Sequence, residues 1–255
     1  MSATVIVGQV RTQDPSQPAA EAIGWRDGRL VAVGRRHEVL AATPGAEVIE
    51  VRGEVLPGFI DGHHHIAIAA LYDGTARLVP PAVTDIESLQ AALAAAARSS
   101  SADRWLVATH WDETLLRERR PPTRTELDAA VSDRPLFMLH HTCHRALANT
   151  RALELAGIDR HTPEPSGGVI SRGPGGVPDG LLIERGMARV EELARADRLQ
   201  VDLHGVLDRM AAHYRAVARA GITRLCDAAV PRDLLGAFRD LAARGDVLVP
   251  THASP

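Results

Sequence analysis

The sequence predicts an α/β fold in which an all-β amino-terminal segment leads into a sheet of parallel strands. Three observations carry that expectation. Through residue 55, short Val/Ile-rich runs are cut by turn residues and show no helical period. From residue 55 onward, strand-like apolar runs alternate with helical-period segments, the pattern of parallel strands joined by crossover helices. At the junction, "LPGFIDGHHHI" sets an apolar strand directly against three histidines.

In the first segment the strands are ATVIVGQVRT, AEAIGWRDGRLVAVG and AEVIEVRGEVLPGFI, with Asp27-Gly28 marking a hairpin turn. Residues 84–98 switch to a helical period: Thr84-x-x-Glu87 has the form of a capping box, and Ile86, Leu89, Leu93 and Ala97 share one face. RWLVATHWDE follows as a strand, Pro121-Pro122-Thr123-x-x-Glu126 opens a second capped helix, and RPLFMLHHTCH is another strand. Asn149 caps the short helix TRALELAG, which Gly157 ends. Residues 162–180 are rich in Pro and Gly, and GGVISRGPGGVPDGLLIE reads as a hairpin or lobe on the rim of a pocket, outside the core. A long helix covers about residues 200–220, with Leu203, Val206, Leu207, Met210, Tyr214 and Val217 as its packing stripe. GITRLCDAAV is then a strand, RDLLGAFRDLAARG a helix, and DVLVPTHASP the start of another strand.

A chain of 255 residues, 45% hydrophobic and of net charge −3, has ample length for the core of one or two domains. The near balance of charge, without a basic block, argues against a nucleic-acid or acidic-membrane partner. No positive n-region opens the chain, and no apolar run approaches the roughly 18 residues a span needs, so a cytoplasmic protein is expected. Cys143 and Cys226 form no C-x-x-C pair and read as buried thiols. All 29 basic residues are arginine, which removes any chemistry that needs a lysine amine.

On a strand, residues two apart face the same way, so His63 and His65 can converge on one metal ion while His64 faces away. The competing reading is a solvated loop that carries three histidines. Asp61, two residues before His63, has two readings of its own: an acceptor that orients an imidazole, or a cap of the strand-to-loop turn. At other strand or hairpin ends lie Trp111, His140, His141, His144 and Glu184. Each has an ordinary structural role open to it beside a functional one. Asp227, after TRLC, reads equally as a site residue or a helix cap.

The stretch GEVLPGFIDGHHHI, preceded by EAIGWRDGRLVAVG, resembles the entry pattern of the amidohydrolase superfamily. HRALANTRALELAGI, GGVISRGPGGVPDGLLIE and AGITRLCDA are similar to its YtcJ-like branch, which includes N-substituted formamide deformylases. The resemblance implies a composite fold. Residues 1–54 would be the N-terminal β-sandwich part, residues 55–72 and 221–255 the first two to three strands of an incomplete TIM-like (β/α) barrel, and residues 73–220 a large α+β insertion domain. It also implies a metal-dependent hydrolase of C–N bonds other than peptide bonds. One or two Zn²⁺ ions would be bound with His63 and His65 among the ligands, and the general base is not assigned. By the resemblance, His144 and Glu184 would face a small-molecule substrate; Trp111, as an aromatic at a strand end, could wall an apolar one.

A full barrel takes about 250 residues, far more than the barrel segments supply. The family keeps a lysine or equivalent on its fourth strand, histidines on the fifth and sixth, and an aspartate on the eighth. Without lysine, no carbamylated lysine can bridge two metals here. The expectation is therefore the N-terminal part of a longer hydrolase or a truncated reading frame, with an inactive metal- or ligand-binding remnant as its rival and a homo-oligomer favoured by open sheet edges. A competing count takes every strand after residue 55 into the barrel and reaches about six, short of eight.

Overall fold

The computed structural model describes residues 3–255. The first two positions of the amino-terminal segment read above lie outside the described residues. In chain order the elements open with β1 (Ala3–Arg11), β2 (Ala19–Arg26), β3 (Arg29–Gly34), α1 (Arg36–Ala42), β4 (Glu47–Val55), β5 (Phe59–His64) and α2 (Ile66–Tyr72). There follow β6 (Ala76–Arg77), α3 (Ile86–Arg98), β7 (Leu106–Trp111), α4 (Arg124–Ala130), β8 (Leu136–His140), β9 (Arg145–Ala148) and α5 (Thr150–Ala156). The chain finishes with β10 (Gly168–Arg172), β11 (Pro178–Glu184), α6 (Ala188–Arg219), β12 (Ile222–Asp227), α7 (Leu235–Arg244) and β13 (Thr251–Ala253). Two compact units result: one holds the chain up to His63 with Val217–Cys226 and Val249–His252, the other holds His64–Ala216, Asp227–Leu248 and Ala253–Pro255.

In the first unit, β1 pairs antiparallel with β2 and parallel with β4, in a sheet of order β3-β2-β1-β4. Asp27 and Gly28 turn the β2–β3 hairpin with both φ positive, at 53° and 74°, the backbone that matches strand twist. The segment is not all-β as expected: α1 packs Val39 against Val5, Val7 and Ala22. Seven residues are too few to show a period, and the helix is fixed at its start by the Glu38 carboxylate accepting from the Arg35 backbone N–H at 3.1 Å. The glycine of LPGFID has a steric cause. A Cβ at Gly58 would lie 2.1 Å from Thr223 Cγ2, and the Phe59 N–H donates to Gly221 O at 2.9 Å alongside.

The second unit is built on a six-stranded sheet of order β10-β11-β9-β8-β7-β6. Only β6, β7 and β8 are parallel; β9, β11 and β10 run antiparallel, which corrects the all-parallel expectation. Short returns at residues 141–144 and 173–177 replace crossover helices there. The β10–β11 hairpin is an edge of this sheet rather than a lobe outside the core, with Ile170 and Leu182 buried. Leu89, Leu93, Trp111, Leu127, Leu136, Met138 and Leu147 anchor the core beneath it.

Helix starts follow the sequence with one shift. Thr123–Glu126 caps α4 reciprocally, and α5 runs from the Asn149 cap to left-handed Gly157, as expected. Helix α3 is capped by Asp85 with Ser88 instead of Thr84 with Glu87, the Asp85 carboxylate accepting from the Ser88 N–H at 2.8 Å. Helix α6 begins twelve residues earlier than expected and is broken at Asp202, with φ −136°, so its regular stripe is legible only beyond the break. Val206, Leu207, Met210, Tyr214 and Val217 are buried as predicted, whereas Leu203 is exposed. The strands after residue 55 fall into the six-stranded sheet and a three-stranded one of order β13-β12-β5, so the count that runs a single barrel through all of them is not realised. Among the described residues no helix is long and apolar enough to cross a membrane.

Candidate functional site

Strand β5 ends at His64, and the chain then turns: His65 is the N-cap of α2, at φ −141° and ψ 60°. Alternation along the strand thus covers His63 and His64 but not His65. The Asp61 carboxylate accepts from the His63 N–H at 3.1 Å, the local turn that the cap reading of Asp61 describes. His65 is anchored from the other side. Its Nδ1 lies 3.0 Å from the carbonyl oxygen of Ala228, which can only accept, so Nδ1 carries a proton and Nε2 is the ring nitrogen left to meet a ligand. The Ala228 N–H in turn donates to His64 O at 3.0 Å. The ring of His64 meets that of His213 edge-on, centroids 6.4 Å apart.

Asp227 closes this corner. It is fully buried, its Oδ2 accepts from the Ala67 N–H in the first turn of α2 at 3.0 Å, and its Oδ1 has no hydrogen-bond partner. Burial raises its carboxyl above the usual range, against the lowering effects of the Ala67 N–H and of His65 and His64. The cap reading of Asp227 is therefore realised by one oxygen. The other is the kind of orphaned buried atom that a ligand or ordered water satisfies.

A second grouping stands at the carboxyl ends of β7 and β8. A bulge between Thr109 and Trp111, with His110 left-handed at φ 67°, brings Trp111 into register with His140. Trp111 is fully buried, its Nε1 donating to Met138 O at 3.0 Å, so its ring serves the core instead of walling a substrate. His140 stacks edge-on against it at 4.6 Å. The Nε2 of His140 lies 3.2 Å from Glu113 Oε2 and 2.9 Å from Arg145 Nη2, and its Nδ1 lies 2.8 Å from Thr142 Oγ1. Arg145 spends its charge on Glu113 through two contacts of 2.7 and 3.2 Å.

His141, half exposed, points its Nδ1 at Asp112 Oδ2, 3.4 Å away. One nitrogen each from His140 and His141 and one oxygen from Asp112 all lie within 4.8 Å of one another. Burial, then the charges of Arg145 and His141, depress His140 and keep it neutral. His110 is lowered as well, by burial, then Arg77, then His141. Burial works to raise Asp112 and Glu113, but hydrogen bonds from Thr114 and Arg145 outweigh it and hold both ionised.

His144 and Glu184 lie side by side, with Nδ1 3.0 Å from Oε1 and the Glu184 N–H donating to His144 O at 2.9 Å. Both side chains are more than half exposed. Between the histidines, Cys143 is exposed at φ 61° and is not the buried thiol expected, because the return after β8 turns it outward. Asp112, Glu113 and Arg145 were not singled out in the sequence. The available signal was a pair of acids directly after an apolar strand and an arginine one residue beyond His144.

The amidohydrolase family pattern matches residues 48–253. The chain belongs to the amidohydrolase family. An N-substituted formamide deformylase of Arthrobacter pascens is 32% identical over 243 residues, covering 94% of this chain and 45% of the relative. The YtcJ protein of Bacillus subtilis is 30% identical over 237 residues, covering 91% and 41%. The crystal structure of an uncharacterized metal-dependent hydrolase from Pyrococcus horikoshii shares the fold with a TM-score of 0.65 at 20% identity, over 99% of this chain and 48% of that one. This amidohydrolase chain thus spans about half the length of the relatives it matches.

Proposed function

We propose that this chain carries the metal-binding opening of a hydrolase that acts on non-peptide C–N bonds of a small molecule, with His63 and His65 as ligands of a divalent ion. The observation that carries the reading is the anchored imidazole of His65. A ring whose Nδ1–H is tied to a backbone carbonyl presents Nε2 at fixed orientation, the arrangement that ligating histidines use. The donor chemistry beside it fits a cation, since the orphaned Oδ1 of buried Asp227 is an acceptor without a proton donor. Zinc is the ion that two imidazoles and an oxygen suit best.

When bound, such an ion lowers the pKa of a water and polarises a carbonyl. The chain's own residues hold and orient: Asp61 fixes the His63 backbone, Ala228 fixes the His65 tautomer, and Asp227 pins the start of α2. We read the four-stranded sheet as the N-terminal part of the composite β-sandwich, residues 55–72 and 221–255 as the opening of the barrel, and residues 73–220 as the insertion. His144 and Glu184 are assigned to the substrate pocket of that insertion. Substrate recognition would involve a small molecule, with no nucleic acid or membrane partner, in a cytoplasmic setting, and the protein would self-associate.

A second reading is favoured by the ligand count. If Asp227 serves only as the cap of α2, the two histidines are one short of the three protein ligands that catalytic zinc sites use, which fits a metal-binding remnant without turnover. One experiment separates the two. Metal analysis of the purified chain and of H63A/H65A is paired with hydrolysis assays on N-substituted formamides. Metal that is lost in the double variant together with hydrolysis supports the enzyme; metal lost with no hydrolysis in either protein supports the remnant. A metal content unchanged by H63A/H65A removes both.

A further inference from the structure

The three-ligand group in the second unit is independent of His63 and His65. From it we infer that Asp112, His140 and His141 form a separate site for a divalent first-row transition ion, bound through two imidazoles and one carboxylate with water on its open positions. The group is built from the carboxyl ends of two neighbouring parallel strands, where β8 is held beside β7 by the His141 N–H donating to Trp111 O at 3.2 Å. Its ligand atoms already lie within 4.8 Å of one another. A tetrahedral ion with bonds of about 2.0–2.2 Å needs ligand atoms about 3.3 Å apart, so closure takes a shift of about 1.5 Å or less. Half-exposed His141 can supply it by rotation.

The surroundings match a metal site rather than a chance cluster. Buried His140 has a carboxylate, Glu113, 3.2 Å from its Nε2, the partner that ligating imidazoles commonly use to fix their tautomer. Its Nδ1 faces the Thr142 hydroxyl at 2.8 Å and accepts from the Thr142 N–H at 3.2 Å, so an ion on that nitrogen takes the place of both bonds and moves the return after β8. The nearest cation, Arg145, makes two contacts to Glu113, and its Nη2 also lies 2.9 Å from His140 Nε2, on the side of the ring away from Thr142. The backbone is strained on purpose here. His110, Cys143 and Glu184 all adopt left-handed φ, at 67°, 61° and 50°, at adjoining strand ends, and such non-glycine outliers concentrate at functional sites. Two imidazoles and a carboxylate suit Zn²⁺, Co²⁺ or Fe²⁺, and not the hard Ca²⁺ or Mg²⁺.

The inference does not depend on the function proposed above, and its test keeps the two apart. H63A/H65A and H63A/H65A/H141Q are loaded with Zn²⁺ or Co²⁺ and measured by elemental analysis, Co²⁺ absorption and calorimetric titration. The double variant is expected to retain one ion, with a Co²⁺ spectrum of low coordination number. Adding H141Q is expected to weaken binding by more than about tenfold with an unchanged circular dichroism spectrum. D112N, made on the same double variant, should weaken binding in the same way and stands in if H141Q disturbs folding. A double variant that holds no ion overturns the inference, and so does undiminished affinity in both H141Q and D112N. Loss of one ion on going from wild type to H63A/H65A tests the earlier proposal separately.

Discussion

Asp227 accepts a hydrogen bond from the Ala67 N–H at 3.0 Å with one carboxylate oxygen and leaves the other buried without a partner. The bonded oxygen holds the first turn of the helix that follows His65. D227A is expected to destabilise the protein by about 1–3 kcal/mol, because both Ala67 and the vacated site are buried. D227N keeps an acceptor oxygen for Ala67 and should recover at least half of that loss. Urea denaturation of the two variants checks this; a D227A curve that overlays the wild type would remove the capping role.

Asn149 does more than start a helix. Its Oδ1 accepts from the Leu136 N–H at 2.9 Å and the Ala152 N–H at 3.0 Å, and its Nδ2 donates to Val131 O at 2.8 Å and Arg134 O at 2.9 Å. The side chain is fully buried, so all four partners lose their bond together in N149A. The expected cost is about 3 kcal/mol or more, well beyond an exposed N-cap. N149D should be at least as harmful, since a carboxylate offers no donor to the two carbonyls. Equilibrium unfolding with N149D as stable as wild type would contradict this network.

How far the sequence reaches is visible in these same residues. Asn149 and Thr123 were legible as caps because an N-cap is a local signal, complete within four residues. The partners that make Asn149 expensive to lose were not legible, as they come from Val131 to Leu136 through tertiary packing. Strand spacing and the family resemblance pointed to His63 and His65, yet His65 stands off the strand as the N-cap of α2 and its anchor lies at Ala228, more than 160 residues away. Trp111 reads as a pocket wall because it is an aromatic at a strand end, and the bulge at His110, invisible to period counting, accompanies a ring that is fully buried in the core. The antiparallel half of the sheet was hidden for a related reason: its strands are as apolar as parallel ones.

The Glu126 carboxylate ties the start of α4 to Arg120 and is held down to a pKa of about 2, chiefly by the Arg120 guanidinium, with Thr123 adding hydrogen bonds. A carboxylate depressed in the folded state stabilises the fold above its ordinary pKa of 4.5 and loses that contribution as pH falls toward 2. Arg120 is nearly half exposed, so solvent screening limits the effect to about 1 kcal/mol. E126Q keeps a side-chain acceptor for the cap but not the ion pair. The stability gap between wild type and E126Q should be about 1 kcal/mol at neutral pH and less than half of that by about pH 3. Denaturant titrations at several pH values test it, and a constant gap would assign the pair no electrostatic role.

Two arginines of α6 close the other end of α2. Arg209 Nε donates to Ala70 O at 2.8 Å, and Arg198 donates to Leu71 O and, through Nη2 at 2.6 Å, to Asp73 O. These carbonyls belong to the last turn, where positive charge also complements the helix dipole. Burial, then the neighbouring charge of Arg209, lowers Arg198, so the two cations repel while each serves α2. R198K removes the forked donor that spans two carbonyls and should cost about 1–2 kcal/mol, although the charge is kept. R209M should cost a similar amount. The double variant R198K/R209M should cost less than the sum, because losing Arg209 relieves the repulsion on residue 198. A double-mutant cycle by urea denaturation reads this coupling directly, and strict additivity would show that the arginines act on α2 separately.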